Sequence, residues 1–95
     1  IYQLHKKLKN VAAMVKYIME TKIFLLASMI ESNCNAITFI NTGTNIAQVN
    51  GIYLQPSQSI QFNGNACEVD VTQYYCNFVS GTGYNELTVV RKLNQ

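Results

Sequence analysis

The sequence predicts an α+β protein: a long N-terminal helix, suited to a coiled coil, followed by a small antiparallel β-sandwich or barrel of six or seven strands. Three observations carry this. Ile1, Leu4, Leu8, Val11, Val15, Ile18, Lys22, Leu25 and Met29 alternate spacings of three and four, and eight of these nine positions are apolar. Such a period favours helices that supercoil around a partner. From Cys34 onward the pattern changes to strand alternation in small, polar and β-prone residues. Turn signals there recur at the short spacing of a sandwich or small barrel.

The helix is expected over about residues 2 to 32, because no Gly or Pro interrupts that stretch and each would break or weaken it. Ser32-Asn33 marks its end, since such side chains favour caps and turns. The chain then divides into residues 1–33, a helical anchor or oligomerisation segment, and residues 34–95, a β head. Ala12, Met14, Met19 and Leu26 widen the apolar stripe. Lys22 breaks the seam, and its apolar stem can snorkel. Three destinations stay open for the stripe: self-association, a groove on another protein, or the β head of the same chain.

The β head begins with Ala36–Ile40 and a turn at Asn41-Thr42-Gly43-Thr44. Ile46–Val49 and Ile52–Leu54 flank Asn50-Gly51, the strongest short hairpin signal, which favours a type I′ turn. Gln55-Pro56-Ser57-Gln58 turns next, because Pro cannot donate to a ladder. Ser59–Phe62 alternates, Asn63-Gly64-Asn65 turns, and Cys67–Val71 alternates with Glu68 and Asp70 on one face. Tyr74–Val79, the Ser80-Gly81-Thr82-Gly83 turn and Leu87–Leu93 complete the head.

Charged residues make up only 13% of the 95 residues, while six Tyr and four Phe supply contact surface. That balance is opposite to a disordered chain. The net charge of +2 is uneven: five lysines against two glutamates give +3 in residues 1–33, and the remainder carries −1. Lys6, Lys7 and Lys9 form a basic cluster that suits nucleic acid or an anionic membrane surface, or a solvated helix face. The apolar run Ile23–Ile30 is too short to span a bilayer.

Cys34, Cys67 and Cys76 are an odd set with no C-x-x-C spacing. One pair can bridge, Cys67 with Cys76 first, or all three can be reduced, buried small hydrophobes. Catalysis needs convergent groups with tuned pKa values. The sole His5 lies far from the cysteines. Glu68 and Asp70 with Glu86 offer carboxylates but read as the wet side of a strand. The Gly-rich turn at 80–83 precedes no helix and so holds no phosphate. The sequence therefore points to no enzyme, no metal and no cofactor. Tyr53, Tyr74, Tyr75 and Tyr84 are candidate exposed aromatic contacts, weighed against tyrosines that simply cover a thin core.

The stretches Ile40-Asn41-Thr42-Gly43, Val49-Asn50-Gly51-Ile52-Tyr53-Leu54-Gln55-Pro56 and Ser59-Ile60-Gln61-Phe62, with Glu68–Tyr74 and Leu87–Lys92, resemble small β-sandwich structural proteins of bacteriophage particles. The resemblance covers residues 36–93 and consists mostly of turn and strand grammar. It implies a virion structural role: a vertex or penton protein, a fibre base, or a decoration protein. Its expected partners are further copies of the chain, as trimer or pentamer, and other virion proteins. The helix contact is expected at Ile1, Leu4, Leu8, Val11, Val15, Ile18, Leu25 and Met29. Two alternatives are a secreted carbohydrate- or peptide-binding β module using the tyrosines, and a membrane-proximal anchor using the lysines with the Ile23–Ile30 run.

Overall fold

The chain from Tyr17 to Asn94 folds like one long hairpin rolled up on itself. A computed structural model describes residues 16–94. The strands are β1 (Tyr17–Phe24), β2 (Ser28–Glu31), β3 (Ala36–Asn41), β4 (Ala47–Val49), β5 (Ile52–Leu54), β6 (Ser59–Phe62), β7 (Gln73–Phe78) and β8 (Leu87–Asn94). Pairings nest around the central turn: β4 with β5, β3 with β6, β2 with β7 and β1 with β8, all antiparallel. Two further pairings, β3 with β8 and β4 with β7, close the sheets. The result is two four-stranded sheets, β1-β8-β3-β6 and β2-β7-β4-β5. Eight strands in two sheets with this nested order make a jelly roll.

The tip of the long hairpin is Asn50-Gly51, with φ of 47° and 81°. Both values lie in the left-handed region that a type I′ turn requires. The flanking register is Val49↔Ile52 and Ala47↔Leu54, so this hairpin forms as its sequence predicts. Gly43 answers a different need. A Cβ there would stand 2.6 Å from Glu86 N and 2.7 Å from Tyr84 O, so the β3–β4 loop packs on the β7–β8 loop backbone to backbone.

The core lies between the sheets. Ile37, Phe39, Leu87 and Val89 come from one sheet, and Ile30, Ala47, Val49, Leu54, Tyr74 and Cys76 from the other. Phe39 has its ring centroid 4.9 Å from Tyr74 and 6.4 Å from Phe62, within the range of favourable aromatic pairs. Among the described residues every buried side-chain nitrogen or oxygen has a hydrogen-bond partner. Asn41 Nδ2 donates to Asn45 O (2.9 Å) and Leu54 O (2.8 Å), and its Oδ1 accepts from Gly43 N (3.0 Å). Asn35 Nδ2 donates to Asn65 O and Glu68 O. These amides satisfy loop carbonyls that cannot join a ladder.

The structure corrects the α+β reading. The described residues contain no helix, and the protein is all-β over them. Where a long helix and coiled coil were expected, Tyr17–Phe24 and Ser28–Glu31 are strands of opposite sheets. The reason is compositional. Apolar residues are so dense from Tyr17 to Ile30 that a heptad can be drawn through them without a helix existing. Tyr, Ile, Thr and Phe also favour a pleated surface. Pairing of β1 with β8, at the far end of the chain, then overrides local helix propensity. Of the seam, Ile18 lies on β1, Leu25 in the β1–β2 corner and Met29 on β2; they share no helix face. Ile1, Leu4, Leu8, Val11 and Val15 lie outside the described residues.

The predicted strand Cys67–Val71 is also absent. Only Asp70 pairs there, in an isolated bridge with Cys34, and Cys67 has φ of 67°. Its alternation was real, but the segment is an exposed connection that never lies alongside a strand.

Candidate assembly surface

Two features set the β1–β2 side of the molecule apart. β1 is the edge of its sheet and β2 the edge of the other, so the sandwich opens between them. The second feature is apolar exposure. Tyr17 (55%), Met19 (57%), Ile23 (60%), Leu25 (57%), Leu26 (75%) and Met29 (51%) all present side chains to solvent. Single exposed apolar residues are ordinary. Here they line one open edge, with Tyr17, Met19 and Ile23 on the outer face of one sheet, Leu25 and Leu26 at the corner and Met29 on the outer face of the other, a concentration that suits an interaction edge.

Strand geometry explains how this run arises. Side chains alternate across β1. Tyr17, Met19, Thr21 and Ile23 pair across to Asn94, Lys92, Val90 and Thr88 on the outer face. Ile18, Glu20, Lys22 and Phe24 pair to Leu93, Arg91, Val89 and Leu87 on the face turned toward the other sheet. Apolar residues therefore sit on both faces of an edge strand. Lys92 Nζ lies 4.6 Å above the Tyr17 ring, a cation–π contact that anchors one end of the outer row. The corner Leu25-Leu26-Ala27 has little to pack on and is tied only by Ser28 Oγ donating to Leu26 O.

The opening holds a cavity of about 390 Å³ with an apolar floor of Phe24, Ile30 and Val89 and a charged rim of Glu20, Lys22, Glu31 and Arg91. Arg91 governs it. Its Nε (2.8 Å) and Nη2 (2.5 Å) donate to Glu20 Oε1, and its Nη1 donates to Ser32 O (2.7 Å) and Glu31 O (3.2 Å). The guanidinium is thus occupied by the protein's own groups. The cavity suits a wedge of apolar side chain, and Lys22, 4.0 Å from Glu20, is the one rim cation not held closely by the protein's own groups.

The tyrosines divide. Tyr53, Tyr75 and Tyr84 are exposed at 59%, 60% and 56%, whereas Tyr74 is buried at 4%. Tyr74 OH donates to Asp70 Oδ2 at 2.8 Å, and burial, with that carboxylate beside it, pushes its pKa up to about 12. Tyr53 and Tyr75 share the outer face of the β2-β7-β4-β5 sheet but not a row. Tyr53 stands opposite Gln48 on β4, which stands opposite Asn77 on β7. Tyr75 stands opposite Met29 and exchanges hydrogen bonds with Asn50. Tyr84 belongs to the β7–β8 loop, where its N–H donates to Thr44 Oγ1 and its carbonyl accepts from Thr44 N and Asn45 N. The four do not form one platform.

The remaining candidate groups serve the fold. Asp70 Oδ1 accepts from Thr72 N at 2.8 Å. Burial alone would raise the Asp70 pKa, but hydrogen bonds from Thr72 and Tyr74 outweigh it and hold the carboxyl below its ordinary value. Glu68 Oε1 accepts from Asn65 N. Both carboxylates therefore organise the loop between β6 and β7. Among the described residues the three cysteines are free thiols; Cys34 and Cys76 are buried and Cys67 is exposed. Burial pushes the Cys76 thiol up to about 11 and raises Cys34 as well, which leaves both inert. Lys6, Lys7 and Lys9 lie outside the described residues. Within 16–94 no helix is long and apolar enough to cross a membrane, and Ile23–Ile30 is a strand end, a corner and a second strand.

Sequence reasoning missed the Glu20–Arg91 pair and the exposure of the β1–β2 corner. The first joins residues 71 positions apart, and no local pattern reports it. Leu25 and Leu26 were legible as apolar but were assigned to a helix. No family model, characterised protein or solved structure matches this chain.

Proposed function

We propose that this chain is a structural assembly module, acting by docking rather than by catalysis, in a phage-like particle. The observation that carries the reading is the run of exposed apolar side chains from Tyr17 to Met29 along the open edge of the jelly roll. Burying such a run is worth about 25 cal/mol for each Å² removed from water, less the cost of ordering. The particle setting rests on the resemblance of residues 36–93 to phage sandwich proteins and on a strand order shared with viral capsid domains. Lectin and cupin domains share that architecture too, so the setting is read from the resemblance and the docking edge together, not from the fold alone.

The test is the mass of the full chain in solution against concentration, by light scattering. The wild type forms a discrete oligomer, and the Ile23→Asp/Leu26→Asp variant remains monomeric with an unchanged circular dichroism spectrum. A wild type that stays monomeric at about millimolar concentration, the weak end of specific association, overturns the reading.

A second reading has its own observation: Tyr53 and Tyr75 are exposed on one sheet face. A sugar- or peptide-binding module would use them separately, each as a single stacking surface. The chain has no Trp, so tyrosine fluorescence during an oligosaccharide titration reads this directly.

A further inference from the structure

We infer that β1 is a self-complementary edge: two copies of this chain pair β1 to β1 in antiparallel fashion about a two-fold axis at Thr21. This rests on the assembly reading and names its partner. Among the described residues β1 has β8 on one side and no strand on the other. Its outer edge therefore presents backbone groups that a further strand can pair. A two-fold axis perpendicular to the sheet keeps outer face with outer face, so opposing residues share the same parity in sequence.

Charge then selects the register. Centred on Thr21, Glu20 of each copy lies opposite Lys22 of the other, twice over. On the outer face Met19 then meets Ile23, and Tyr17 meets Leu25. On the inner face Ile18 meets Phe24. Sliding to the next allowed register in one direction centres the axis on Glu20 and opposes two glutamates. Sliding the other way centres it on Lys22 and opposes two lysines. Like charges directly opposite are destabilising, and opposite charges attract. Of these three registers, all centred within β1 around Thr21, only the Thr21 register has two attractive pairs and no like pair.

The side chains are placed for this. Lys22 is exposed and reaches Glu20 of its own strand only at 4.0 Å, so it is free to turn to a partner. Glu20 is already held by Arg91, which fixes one half of each new ion pair before association. The exposed Met19 and Ile23 cover one another across the axis. The product is one continuous eight-stranded sheet spanning two copies, with Leu26 and Met29 still exposed for a further partner.

The experiment uses the full chain with Cys67→Ser, which removes the exposed thiol. Thr21→Cys places two thiols opposite each other across the axis, and mild oxidation is expected to give a covalent dimer on a non-reducing gel. Ile23→Cys is the control, since its two thiols stand about 13 Å apart in this register. Lys22→Glu sets glutamates against glutamates and is expected to weaken dimerisation roughly tenfold or more by light scattering. A dimer that ignores Lys22→Glu and does not cross-link at Thr21→Cys overturns the pairing while leaving assembly through Leu26 intact. Preferential cross-linking at Ile23→Cys overturns the register. A chain that does not associate at all overturns both this inference and the assembly reading.

Discussion

Arg91 on β8 holds Glu20 on β1 through two donors while its third nitrogen holds the carbonyls of Glu31 and Ser32 at the end of β2. One side chain thereby links the edges of both sheets at the point where the sandwich opens. Ser32 is fully buried, so its carbonyl has no ready water to replace the guanidinium.

Removing Arg91 should therefore cost more than a surface ion pair. Breaking a fully buried pair costs about 3–5 kcal/mol, but Glu20 retains some solvent contact, so Arg91→Ala is expected to cost about 2 kcal/mol. Glu20→Gln keeps a hydrogen-bond acceptor and should cost about 1 kcal/mol. Urea denaturation of the two variants gives the comparison, and equal losses would contradict the role assigned to the backbone contacts.

Gly51 has φ of 81° with open space where a Cβ would go. Gly51→Val should therefore suffer from backbone strain alone, about 1–2 kcal/mol. Gly43→Ala faces backbone atoms of the β7–β8 loop, and overpacking there should cost about 1–3 kcal/mol. An unchanged melting temperature for Gly51→Val would argue against the type I′ turn.

Acid and alkali should both act through the Asp70–Tyr74 pair. The Asp70 carboxyl sits below its ordinary value, so the unfolded chain binds its proton first. Its stabilisation is present above the ordinary carboxylate pKa and is lost as pH falls through the folded value. Tyr74 is raised to about 12 from 10, so its stabilisation is present below pH 10 and is lost as pH rises toward 12. Tyr74→Phe should flatten the alkaline limb, and Asp70→Asn the acid limb. Melting temperature measured across pH checks both.

The legible part of the fold was the part with local signals. Asn50-Gly51 announced its turn, and Ala36–Asn41, Ser59–Phe62 and Leu87–Asn94 showed their alternation because one face of each packs on the core. β1 did not, because an edge strand with apolar residues on both faces has no period of two to read. The residues that open the sandwich were visible as apolar; their exposure was not, since it depends on which strand ends the sheet. Burial of tyrosines and cysteines was among the sequence readings, but that Tyr74 and Cys76 are buried while Tyr75 and Cys67 are exposed was not legible, as it follows from packing against β2, β3 and β4 rather than from neighbours in sequence.

The sharpest discrimination lies between Leu26 and Leu54. Both are leucines, but Leu26 is 75% exposed and Leu54 is 4% exposed. Leu54→Ala should cost about 2–5 kcal/mol, because it leaves a cavity beside Ala47 on the inner face. Leu26→Ala removes no core contact and should change stability by less than about 0.5 kcal/mol. Its effect should fall on association instead, where the corner leucine is free to enter a partner. Paired measurements of denaturant midpoint and oligomer mass separate the two roles. If Leu26→Ala lowers stability as Leu54→Ala does, the corner is packed in the folded monomer and the docking surface does not exist.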